Sequence, residues 1–228
     1  MKYVILDCET GGFNSSEHSL LSVAMIKATA SFQELDSMYV KIKHPTLHVT
    51  PSSLEHNGLD IRESNSWVDP DTARKQMLEF LDAPADVATA THYKPTYIGT
   101  GTNVLFDLPF LKAFLGERTV NNLFFHRVEE ITSTFRDFQK IGIVEAPKGY
   151  QLWQVLEVLG IHVDSTLAYS AQENAEFALQ AAREMHLRTR VMQDSLTAFV
   201  KRHGGDLRKI LSAYKSTDKK AKLKRLRS

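Results

Sequence analysis

Asp7 and Glu9 stand one residue apart at the end of a short apolar run and are followed at once by Thr10, Gly11 and Gly12. Side chains at i and i+2 of a strand project to the same side, so a strand here brings two carboxylates together. Crowded carboxylates repel unless a positive charge sits between them, and a hard divalent cation, which prefers oxygen ligands, is the natural one. Gly11 and Gly12 permit a tight turn and a close approach of backbone to a ligand. A further acid, Asp107, lies within Gly101-Thr102-Asn103-Val104-Leu105-Phe106-Asp107-Leu108-Pro109-Phe110-Leu111, where Asn103 and Asp107 are four apart. A bare Asp-x-Glu pair is ordinarily a solvated strand end. The glycines and the second segment turn the reading toward a metal site.

The elements that must carry these residues follow from hydrophobic periodicity. Residues 2–7, 20–28 and 34–43 read as three strands, and the Pro-, Ser-, Asn- and Gly-rich residues 44–66 as a loop. Asp69, Pro70 and Asp71 open an amphipathic helix to about residue 81, and residues 95–101 form a fourth strand. Helices are expected over 105–114, 124–139, 149–160, 168–186, 187–203 and 206–214, with Gly204 and Gly205 breaking the last two apart. Strands first and helices later favour an α/β domain with a mixed central sheet.

The chain of 228 residues is 43% hydrophobic and 24% charged, the composition of an ordinary globular domain. It has no apolar run of the 18 or so residues that a membrane helix needs and no signal-peptide core, which points to an intracellular, cytoplasmic protein without a membrane partner. Cys8 is the only cysteine, so neither an intrachain disulfide nor a cysteine zinc site can form. The overall charge of +1 divides into an acidic body and a basic end, because residues 215–228 carry seven Lys and Arg against Asp218 alone. Such an end is either a solvated tail or a source of counterion-release affinity for a polyanion. The expected organisation is one domain over 1–186, a helical extension packed on it over 187–214, and a flexible basic tail over 215–228.

Asp7-Cys8-Glu9-Thr10-Gly11 and the segment from Gly101 to Leu111 resemble, in order, the D-x-E-T-G and G-x-N-x-x-F-D-x-x-F-L motifs of the DnaQ-like (DEDD) 3′-to-5′ exonucleases. Between and after them, Thr50-Pro51 through His56-Asn57-Gly58-Leu59 is similar to that family's P-x(n)-H/N-G-I/L loop, and residues 150–161 to the helix before its last motif. The resemblance covers about residues 1–185. It implies a ribonuclease-H-like fold, a mixed sheet flanked by helices, and a pair of Mg²⁺ or Mn²⁺ ions held by four acids for attack of water on the terminal phosphodiester. Carried over by position, Asp7, Glu9 and Asp107 are the catalytic metal ligands. Thr10, Gly11, Phe13, Leu20, Asn103 and Phe106 are the expected substrate-binding residues, since stacking of a terminal base needs an apolar or aromatic face.

The family's last motif, H-x-A-x-x-D-A, meets Tyr169-Ser170-Ala171-Gln172-Glu173-Asn174-Ala175. The alanines keep register, while Tyr169 stands for the histidine base and Asn174 for the fourth acid. Asparagine offers a neutral oxygen in place of a charge, and tyrosine, titrating near pH 10, is a poor base at neutral pH. A second branch of the family uses Y-x-x-x-D, which places Glu173 four residues after Tyr169 as the alternative ligand. His126, His162 and His186 are not spaced to serve as a base.

The function the resemblance implies is a metal-dependent 3′-to-5′ exonuclease on single-stranded DNA or RNA, acting alone or with a separate polymerase or a repair or processing partner. The alternatives are an impaired relative that binds nucleic acid without cleaving it, and a docking platform for a protein partner.

Overall fold

The computed structural model describes residues 2–91, 93–164, 169–202 and 204. The expected helix over 206–214 and the basic tail lie outside the described residues. Two compact units are present, Met1–Met185 and His186–Ser228.

The first unit is built on one five-stranded sheet. β1 (Lys2–Thr10), β2 (Leu20–Ala28) and β3 (Glu34–Lys41) form an antiparallel meander, and β4 (Tyr97–Gly101) and β5 (Glu129–Glu130) add in parallel on the other side of β1. The spatial order is β3-β2-β1-β4-β5. β1 is the central strand, and its residues alternate between two cores. Val4, Leu6 and Cys8 face α2 (Pro70–Phe80), α3 (Val104–Leu115) and α4 (Glu117–Leu123), through residues such as Met77, Phe110, Leu111 and Val120. Ile5, with Ala24 and Ile26 of β2, faces α5 (Ile131–Lys140), α6 (Leu152–Leu159) and the first half of α7 (Ala171–Arg202). Ala171, Ala175, Ala178 and Ala182 of α7 are buried there, and their small side chains let the helix lie close on the sheet.

Three departures from the sequence expectations have local causes. The expected loop over 44–66 contains α1 (Pro51–Asn57) and a 3₁₀ helix (Ile61–Ser66). Thr50 caps α1 by accepting from the Ser53 N–H, Pro51 starts it, and Gly58 ends it in the left-handed region at φ 61°. The expected helix over 124–139 starts later: α4 ends at Leu123, β5 follows, and within that range only α5 is helical. β5 is two residues long and has no period to betray it. The two helices expected over 168–186 and 187–203 are one, α7, since no breaker separates them. In the second unit the described residues are the end of α7 and Gly204. Among the described residues no helix is long and apolar enough to cross a membrane.

Candidate active site

The site forms where β1 ends. Gly11 makes the turn possible: a Cβ there would run into the carbonyl oxygen of His48. The turn is stitched from both sides, by the Gly11 N–H to Ser19 O at 2.7 Å and by the Thr50 N–H and Ser53 hydroxyl to Gly11 O, each at 2.7 Å. Thr10 is buried, and its hydroxyl donates to Gly12 O at 2.8 Å, so this side chain shapes the turn. Asn57, the buried asparagine of the His56-Asn57-Gly58-Leu59 loop, donates to Thr10 O and holds that loop against the strand end.

Asp107 comes from the first turn of α3 and is 4% exposed. A hydrogen bond from the Cys8 backbone draws its carboxyl onto β1. Asn103, at φ 65°, begins the helix in the left-handed region, which asparagine tolerates better than most residues, and makes no side-chain cap. Glu130 caps α3 instead. Its two oxygens accept from the Asn103 and Leu105 N–H groups at 2.8 and 3.1 Å, where helix amides are otherwise orphaned and a negative charge suits the dipole. The sequence reading placed Glu130 inside a helix and missed it.

The acids stand uncompensated. Burial, then the charge of Asp7, pushes Glu9 up to about 9, and burial raises Asp7 to about 8 despite a hydrogen bond from Asn174. Asp107 is raised to about 9 by burial, then by the charges of Asp7 and Glu130. Burial followed by the nearby Asp107 charge also raises the Cys8 thiol, which marks it as an inert core residue. No ion pair among the described residues involves Asp7, Glu9 or Asp107. The donors therefore suit hard divalent ions in kind, although no three acids, histidines or cysteines among the described residues close into a ligand cluster.

Asn174 of α7 places its amide nitrogen 3.5 Å from Asp7 Oδ2. Glu173 turns the other way. Ser170 donates to its carboxylate from both N–H and hydroxyl, at 2.9 and 2.8 Å, while the Glu173 N–H reaches the Ser170 hydroxyl, a capping box at the start of α7. Tyr169 does not point at the acids. Its hydroxyl donates to Asp164 O at 2.8 Å and its ring packs edge-on against Phe177.

Phe13 is 84% exposed at the turn, with its ring edge-on to Phe106, which in turn contacts Phe110. Leu20, expected to grip substrate, is instead 3% exposed in the core: the register irregularity opposite Thr10 turns it inward. A groove of about 920 Å³ is lined by His18, His44, His48, Arg74, Phe110 and the residues around them.

The sequence matches no protein-family model. Among solved structures, exonuclease I from E. coli bound to a dT13 oligonucleotide superposes with a TM-score of 0.63 at 14% identity, over 86% of this chain and 43% of that one. The fold is that of part of exonuclease I. The same enzyme with a dA16 oligonucleotide gives a TM-score of 0.66 at 13% identity, and exonuclease I from Methylocaldum szegediense 0.63 at 14%. This chain spans less than half the length of these exonuclease I chains, 40 to 43%. The likeness establishes the ribonuclease-H-like architecture, a mixed sheet flanked by helices, that the motifs implied.

Two expected results follow from the site. Carboxyl groups whose folded pKa lies near 8 or 9 bind protons that the unfolded chain, titrating near 4, releases. The stability of the metal-free protein is therefore greatest near pH 5 and is lost as pH rises to about 9. Melting in EDTA at pH 6 and pH 9 should show the lower midpoint at pH 9, and an equal or higher one would mean that the acids are not buried together. Glu130→Ala at pH 7, where Asp107 holds its proton, removes the cap of α3 and should cost about 1 kcal/mol. Glu130→Gln, which keeps an acceptor, should lose less in the same melting experiment.

Proposed function

We propose that this chain is a metal-dependent nuclease that removes nucleotides from the 3′ end of single-stranded nucleic acid. The observation that carries the reading is the burial of Asp7, Glu9 and Asp107 near one another at the end of the central strand, where their charges raise one another, with no side-chain cation paired to them among the described residues. Asp7, Glu9 and Asp107, with the Asn174 amide turned to offer its oxygen, would hold Mg²⁺ or Mn²⁺, two ions in the family's pattern. Bound divalent ions supply an ionised water nucleophile and charge neutralisation at the phosphate.

The protein's own residues position the chain end. Phe13 offers an exposed ring for a terminal base, Phe106 supports that ring, and the groove beyond offers histidine and arginine side chains to the strand. The exonuclease I structures bound to dT13 and dA16 make single-stranded DNA the substrate to test first.

A second reading has its own observation. Tyr169 is held by the Asp164 carbonyl and Asn174 lacks a charge, so a protein that binds a 3′ end with little or no cleavage is also consistent with this site. Incubation of 5′-labelled single-stranded DNA and RNA with Mn²⁺ separates the two. A ladder shortening from the 3′ end supports the nuclease; retention of the oligonucleotide without shortening supports the binding protein; neither outcome defeats both.

A further inference from the structure

The two compact units divide the protein's charge between them. Met1–Met185 holds 15 Lys and Arg against 24 Asp and Glu, a net charge of −9, while His186–Ser228 holds 13 against 3, a net charge of +10. The near-neutral total therefore joins an acidic unit, which carries Asp7, Glu9 and Asp107, to a short and strongly basic one. All the ion pairs among the described residues lie in the first unit, where acids are plentiful, such as Lys27 with Asp82 and Arg74 with Asp71. In the second unit Asp194, Asp206 and Asp218 are too few to balance their neighbours. Arg190, Lys201 and Arg202 of α7 are exposed, and none of them enters an ion pair among the described residues. The helix dipole favours cations in a last turn, which accounts for Lys201 and Arg202 alone.

A phosphodiester strand carries a negative charge at every nucleotide, so an acidic unit repels it over most of its length. The groove of the first unit offers one arginine, Arg74, and that side chain is already paired with Asp71. Clustered Lys and Arg gain affinity for a strand by releasing its condensed counterions, whatever the base sequence. The second unit has that composition. An anionic membrane surface is the other extended polyanion, and it holds a basic segment firmly where an apolar face enters the headgroup region. Residues 215–228 carry seven of the 13 basic residues and only Leu223 and Leu226 as large apolar ones. The end of α7 does expose Val191, Met192 and Leu196, but it carries the smaller share of the charge. Most of the positive charge thus comes without an apolar face.

We propose that the basic unit, His186–Ser228, is a sequence-independent binding surface for the single-stranded nucleic acid whose 3′ end the acid site takes. This rests on the reading of that site as one for a nucleic-acid end. Because one chain carries both units, a strand held by the second meets the first at a raised effective concentration.

The test compares the parent with two full-length variants, one with the seven Lys and Arg of residues 215–228 replaced by Gln and one with Arg190→Gln, Lys201→Gln and Arg202→Gln. Binding of a labelled oligothymidylate is followed by fluorescence anisotropy in EDTA, between about 50 and 200 mM NaCl. Each cation that displaces a counterion from a single strand contributes about 0.7 to the slope of log affinity against log salt. The first variant should bind at least about tenfold more weakly at the low-salt end, with a slope flatter by about 2 or more, and the second should change less in the same direction. The variants alter different segments, so a fold defect in one leaves the other to decide. Shortening of the same strand in Mn²⁺ is read separately. Equal affinity and slope in parent and variants overturn the proposal, and shortening by the parent then leaves the nuclease reading intact. The expected slopes without shortening keep the proposal and remove the nuclease reading. Tighter binding of the parent to phosphatidylserine vesicles than to the oligonucleotide, at equal concentrations of negative charge, assigns the unit to a membrane surface and overturns the proposal.

Discussion

Asp7→Asn should reduce release of nucleotides from a single-stranded 3′ end by about 10²- to 10³-fold, the scale on which removal of one preorganised electrostatic contact acts, while leaving the protein folded. The substitution keeps the volume of the side chain at the centre of the site and removes the charge that Glu9 and Asp107 both feel. In EDTA the variant should be at least as stable as the parent, because a carboxyl raised to about 8 by burial has been replaced by a group with nothing to ionise. The pairing of these outcomes matters. Lost activity with retained melting assigns Asp7 to chemistry, lost activity with a lowered midpoint in EDTA assigns it to folding, and unchanged activity removes the nuclease reading. Cleavage is read by following a 5′-labelled oligonucleotide in Mn²⁺.

Asn174→Asp should act in opposite directions with and without metal. Asn174 places its amide 3.5 Å from Asp7 Oδ2, so an aspartate there sets a fourth acid against a carboxyl that is already uncompensated. Without metal, like charges at this distance lower stability, and the loss deepens as pH rises. With Mn²⁺ the added carboxylate is a charged oxygen ligand in place of a neutral one, and affinity should rise by about tenfold or more. Turnover should rise with it. Calorimetry with Mn²⁺ and melting at pH 6 and pH 9 measure both halves, and an affinity equal to that of the parent would remove Asn174 from the ion-holding set. The corresponding change at Glu173 is a contrast. Glu173→Gln should weaken the capping box with Ser170 and leave Mn²⁺ affinity unchanged.

The protein's +1 balance and single cysteine constrain little, but its local patterns constrain much. The strands over residues 2–7 and 20–28 were legible as short apolar runs, which the sheet buries on both faces over Val4–Leu6 and along all of β2, and Asp7 and Glu9 share a face because strand side chains alternate in direction. The turn at Gly11 and the cap at Asp69, which accepts from the Asp71 and Thr72 N–H groups, were legible because both depend on residues within a few positions. The collinear motifs reached further and implied the fold. They named Asp107, whose carboxyl meets the strand end from a helix 100 residues later in the chain.

Tertiary structure decided the rest. Asn174 and Glu173 are adjacent on one helix, and only the seating of Ala171 and Ala175 on the sheet brings Asn174 to Asp7 and leaves Glu173 with Ser170. Leu20 continues an apolar run in the sequence, and a register irregularity opposite Thr10 sends it into the core. Glu130 caps α3 from a strand too short to show a period. Sequence alone determined what is local: periods, turns, caps and the pair of acids at i and i+2. Contacts between residues far apart in the chain depend on how strands pair and helices seat, and the energy that selects those arrangements is shared across the whole core.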